Sequence, residues 1–110
     1  MAARYVSAGP ISERFGRSTD GERKESVLVG RAQKGDRKAF EKLVGRCDRH
    51  VLAFALRAGG DRRTARDVYV RTFVEAYRSI QSIPPGMSFR TWVYGIARQV
   101  TSDAWRERRI

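Results

Sequence analysis

Only one cysteine, Cys47, occurs in the 110-residue chain, so an intrachain disulfide is excluded and a four-ligand zinc site lacks its soft ligands. His50 is also alone. It falls between Arg49 and Val51 in a helical stretch, where a surface or boundary role is the ordinary reading and a general base is not. The carboxylates are scattered among basic residues and form no pair suited to acid–base work. The glycines of "RAGGDRR" lack the Gly-Lys-Ser/Thr ending of a phosphate loop, and a helix break explains them. No apolar run is long enough to span a bilayer, and the N-terminus has no apolar signal core. No stretch alternates like a strand, and no segment repeats. These absences predict a non-enzymatic, cofactor-free protein of a reducing compartment, read as cytoplasmic.

Acidic residues are scarce too. The chain has 23 Lys and Arg against 12 Asp and Glu, a formal net charge of +11. So large an excess calls for a polyanionic partner, most simply nucleic acid or an anionic membrane, with a basic solvated surface as the other reading. Hydrophobic residues make up 41% of the chain, below the usual globular range of about 45–50%, so the core is expected to be small.

What is present is helical periodicity. Residues 1–24 mix Gly, Ser, Pro and both charge signs and read as a disordered or loosely packed tail, with Tyr5, Val6, Ile11 and Phe15 as its anchors. Residues 25–110 read as one all-α domain of three long helices plus a short N-terminal helix. "ESVLVGRAQKGD" gives the short helix, with Val27, Leu28, Arg31 and Ala32 on one side and Gly35 ending it. Asp36 caps a second helix whose core face is Phe40, Leu43, Val44, Cys47, Val51, Phe54, Ala55 and Ala58. Asp61 caps a third, with Ala65, Val68, Tyr69, Thr72, Phe73, Ala76, Tyr77 and Ile80 on its inner face. "SIPPGM" cannot be helical, because Pro84 and Pro85 remove two amide donors. Ser88 caps the last helix.

In that last helix, about 100° per residue puts Phe89, Trp92, Val93, Ile96, Ala97, Val100 and Ala104 on the core side. Arg90, Tyr94, Arg98, Thr101 and Trp105 share the opposite side, with Arg108 continuing it. Guanidinium groups neutralise phosphates and rings stack on unpaired bases, so this stripe has the chemistry of a nucleic-acid surface. Packing of Tyr94 and Trp105 on a partner or on the N-terminal tail is the other reading, and the pattern leaves both open.

"LVGRAQKGDRKAFEKLV", "GDRRTARDV" and "SFRTWVYGIAR", in this order and spacing, resemble the second conserved region of bacterial sigma factors of the extracytoplasmic-function group. The resemblance covers residues 26–109. It implies a helical domain that docks on core RNA polymerase and recognises the minus-ten promoter element as it opens. It further implies that the loop Ser82, Ile83, Pro84, Pro85, Gly86 and Met87 cups a flipped-out base. The promoter strands would then lie on Arg90, Tyr94, Arg98, Gln99, Ser102 and Trp105.

The chain departs from the family on the third helix, where an Asp, a Gln, an acidic residue and a Phe usually face the polymerase clamp. Here "DVYVRTF" keeps Asp67 and Phe73 but puts Val70 and Arg71 at the Gln and acidic positions, with Val74 one turn on. The expectation is a small apolar patch and a reversed charge on the partner surface formed by Asp67, Val70, Arg71 and Val74. Full-length family members also continue into a helix-turn-helix domain, whereas this sequence ends at Ile110, so the molecule is either a fragment or split gene product or one that works with a single domain. One domain alone is expected to hold a promoter weakly, for want of a linked second site. These departures support an alternative, a sigma-like interaction module that binds an anti-sigma factor and does not hold polymerase. A generic basic DNA binder is a third reading.

Overall fold

A computed structural model of the chain describes residues 17–109, with side chains from 21 to 108. Five α-helices follow in order: α1 Arg17–Gln33, α2 Arg37–Gly45, α3 Asp48–Gly59, α4 Arg62–Arg78 and α5 Phe89–Arg109. A single 3-10 turn, Ile80–Ser82, follows α4, and no strand occurs among the described residues. The all-α expectation holds.

Two expectations about the elements need correction. The first helix is not short: it begins at Arg17 rather than Glu25, so residues 17–24 are helical. The remainder of the expected tail, residues 1–16 with Tyr5, Val6, Ile11 and Phe15, lies outside the described residues. The second expected helix is in fact two, because the chain turns at Arg46–Cys47, where Arg46 N–H reaches the Leu43 carbonyl and Cys47 N–H the Val44 carbonyl. The apolar period runs straight across this turn: Leu43, Cys47 and Val51 are all buried. Periodicity alone therefore reads through the break.

The expected caps are in place. Asp36 accepts from Ala39 N–H at 3.1 Å, and Asp61 accepts from Thr64 N–H at 2.7 Å. Ser88 Oγ accepts from Thr91 N–H at 3.1 Å, and the same α5 N-terminus gains a carboxylate from far away, Glu25 accepting Phe89 N–H at 2.9 Å. Negative charge at a helix start is favoured by the aligned peptide dipoles. At the other boundary, Gly59 lets α3 pass close to α4: a Cβ there would meet Ala65 N at 3.1 Å. Gly60 then turns the chain with φ +84°.

The core has two parts. Phe40, Leu43, Cys47, Val51, Phe73, Ala76, Ile80, Ile83, Phe89, Val93 and Ala97 form the larger one, with Phe89 packed edge-on against Phe40 at 6.0 Å. The smaller one, Ala55, Ala65, Val68, Val100 and Ala104, is built mostly from small side chains, so α3, α4 and α5 approach closely there. Ile96 packs against both. Val27, placed on the inner side of the first helix by its spacing, is 58% exposed; Leu28 and Val29 do the packing instead.

Candidate nucleic-acid and partner interfaces

The loop after α4 is shaped by its own residues. Pro85 presets its φ and Gly86 supplies φ +83°, so Pro84–Met87 closes as a tight turn with Met87 N–H on the Pro84 carbonyl at 3.1 Å. Ile83 is buried in the larger core and anchors the loop, while Ser82, Pro84, Pro85 and Gly86 are exposed. The loop lies against α1: residues Glu25, Ser26, Val29, Gly30 and Gln33 share a cavity of about 300 Å³ with Ile83–Met87. Gln33 fixes the approach by donating to the Ile80 carbonyl at 3.1 Å, and Gln81 donates back to the Gln33 carbonyl.

The expected outer stripe of α5 splits in two, because α3 lies against part of it. Thr101 is a correction: it is buried, and its hydroxyl donates to the Ala97 carbonyl at 2.8 Å. Tyr94 is half-buried, packed edge-on against Phe54 at 5.8 Å, with its hydroxyl 3.4 Å from the His50 carbonyl. Trp105 is 44% exposed, yet its indole N–H donates to the Ala58 carbonyl at 3.1 Å. Arg108 lies over that ring at 5.2 Å and reaches Asp61 at 2.9 Å. Both rings therefore sit at the edge of the bundle, with one side seated on α3. Arg90, Arg98 and Ser102 are open to solvent. Gln99 is exposed but turned to the far side of α5, where it donates to Asp103 at 3.2 Å.

On the α4 side the surface changes character. Val70 and Val74 are 50% and 47% exposed, at the rim of a groove of about 950 Å³ between α4 and α5. Trp92 and Ile96 line its α5 wall, with Met87 of the preceding loop at its end. Arg71 is not the bare reversed charge that the sequence suggests. Its guanidinium makes two bonds of 3.1 Å to Glu107 and one of 3.2 Å to Asp67, and these carboxylates raise its pKa further. Two carboxylates answer one guanidinium, so the reversed charge at Arg71 is neutralised; Glu107 reaches it from the end of α5, a contact that sequence spacing does not reveal.

Cys47, expected to be a small buried side chain, is one: burial, helped by the nearby carboxylates of Asp48 and Glu25, pushes its thiol up to about 11. His50 is exposed. Among the described residues no group of His, Cys, Asp and Glu is arranged to hold a metal ion, and no helix is long and apolar enough to cross a membrane.

Comparison with known proteins gives these surfaces a context. Residues 43–110 match the Sigma-70 region 2 family. The RNA polymerase sigma-H factor of Pseudomonas aeruginosa is 36% identical over 73 residues, covering 66% of this chain and 38% of the relative. The ECF RNA polymerase sigma-E factors of Haemophilus influenzae and Escherichia coli are each 41% identical, over 73 and 75 residues, with the same coverage. The chain thus spans well under half the length of the curated relatives it matches. No solved structure matches it. The matched segment contains α3, α4, the Ser82–Met87 loop and α5, the elements that build both surfaces, and the chain belongs to the Sigma-70 region 2 family.

Proposed function

We propose that the chain is a promoter-recognition domain of a sigma factor, one that holds core RNA polymerase through the α4 face and the opened minus-ten strand through α5 and the preceding loop. The observation that carries this reading is the separation of two unlike surfaces on one family-matched unit. The α4–α5 groove has an apolar floor that includes Val70, Val74, Trp92 and Ile96 and is edged by charges of both signs, Glu75 and Asp103 with Arg71 and Arg78, which suits a protein partner. The other side of α5 presents Arg90, Arg98 and Ser102 beside Tyr94 and Trp105, which suits phosphates and unpaired bases. Asp67, Val70, Arg71 and Val74 take the first role. Arg90, Tyr94, Arg98, Ser102 and Trp105 take the second, with residues 82–87 as the base-cupping loop. Gln99, turned toward Asp103, is placed at the border between the two. Such a role is binding rather than catalysis.

The test is assembly. The chain is mixed with core polymerase, passed over a sizing column and assayed for initiation at promoters. Co-elution and promoter-dependent transcripts are expected. Absence of co-elution at any salt concentration, with recovery from lysate of a small helical antagonist in place of polymerase, would overturn the proposal in favour of an anti-sigma-binding module.

A further inference from the structure

The turn at Arg46–Cys47 aims α3 along α5 from Tyr94 to Trp105. His50, Phe54 and Ala58, one helical turn apart, meet Tyr94 and Trp105. Beside this seam lies a cleft of about 450 Å³ lined by Phe54, Arg98, Thr101, Ser102, Trp105 and Arg106. Phe54 and Arg106 have no part in the minus-ten reading, and the loop that cups a base in that reading lines a different cavity.

The chemistry of the cleft is specific. Thr101 spends its hydroxyl inside its own helix, and Arg106 is paired with Asp103. The Trp105 ring is fixed by the Ala58 carbonyl on its edge and by Arg108 over it. Left to meet a ligand are the part of Phe54 that lines the cleft, the Trp105 face that Arg108 does not cover, the Arg98 guanidinium and the Ser102 hydroxyl, the last two exposed. An apolar helix would bury Arg98 without a counter-charge, which is costly. A closed duplex keeps its base faces hidden. One unpaired nucleotide satisfies every group: base on the rings, phosphate on the guanidinium. We infer that the α3–α5 cleft is a second nucleotide subsite, taking one unpaired base against Phe54 and Trp105 with its phosphate on Arg98. This rests on the nucleic-acid reading of α5 given above.

Photocrosslinking tests it without needing a binding register. The chain is irradiated with a short single-stranded oligonucleotide carrying 5-iodouracil, a base that couples to rings it stacks on, and the adducts are mapped by mass spectrometry. Adducts on Trp105 or Phe54 are expected. Ser102→Leu fills the cleft from an exposed position, so the fold, checked by circular dichroism, should persist. It should abolish those adducts, leave adducts on residues 82–87 and lower single-strand affinity by about tenfold, a value in keeping with one stacked base. Adducts confined to Tyr94 and the loop, or Trp105 adducts that survive Ser102→Leu, would overturn the subsite while leaving the nucleic-acid reading in place. Single-strand binding without any adduct would overturn the subsite alone, and failure to bind single strands at all would remove both.

Discussion

Trp105 has two attachments that its exposure conceals. Its ring can serve a ligand, but its N–H also satisfies one of the last carbonyls of α3, which would otherwise lack a partner. Trp105→Phe keeps a stacking surface and removes that bond. A urea titration should show a loss of about 1 kcal/mol, the usual net value of one hydrogen bond, while single-strand affinity changes less than in Trp105→Ala. Two capping carboxylates give a second prediction at this scale. Asp36 and Asp61 titrate below the ordinary Asp value of about 3.9, chiefly because the Ala39 and Thr64 amides donate to their ionised forms. A folded pKa below the unfolded one means that their stabilisation is complete above about pH 4 and is lost as the pH falls through the lower folded values. Asp36→Asn with Asp61→Asn keeps both caps but removes the titration, so melting temperature should fall less steeply on acidification than in the parent chain. Cys47 offers a third: with its thiol at about 11 and buried, it should resist Ellman's reagent at mildly alkaline pH until the protein is denatured.

The elements divide into those that short-range chemistry writes and those that only the assembled fold decides. Asp36, Asp61 and Ser88 are legible as caps because a side-chain oxygen three residues ahead of an orphan amide is a local arrangement. Most of the inner faces of α4 and α5 is legible for the same reason, since Val68, Thr72, Phe73, Ala76, Val93, Ala97 and Val100 are buried where the period puts them. Tyr77, expected on the same face, is 40% exposed. The turn at Arg46–Cys47 is not, because core residues continue in phase across it. Nor is the fate of Thr101, Tyr94 and Trp105: a helix wheel separates core from surface for one neighbour, and α3 is a second neighbour on the other flank. Glu25 on Phe89 and Glu107 on Arg71 span too much sequence for any pattern to register. The loop is a middle case. Its Pro-Pro-Gly order specifies the turn, so Gly86→Ala, forced to φ +83°, should cost about 1 kcal/mol or more, and Gly86→Asn less, as read from thermal melts.

At the scale of the whole molecule the net charge of +11 is unevenly used. Arg90 and Arg98 stand open on one side of α5, whereas around the α4–α5 groove Asp67 and Glu107 neutralise Arg71, and Glu75 and Asp103 share the lining with Arg78. In the proposed reading, DNA and a protein partner take these two different faces. Val74→Glu should therefore lower retention on core polymerase by about tenfold or more, since it desolvates an unpaired charge in the docked state, and leave single-strand affinity unchanged.

The most direct measurement is a titration of the chain, bound to core polymerase, with fluorescent minus-ten DNA presented either as the non-template single strand or as a closed duplex of the same sequence. Rings and guanidinium groups aimed at unpaired nucleotides predict at least about tenfold tighter binding of the single strand, in keeping with one to two stacked bases. Equal affinity for the two forms would contradict it.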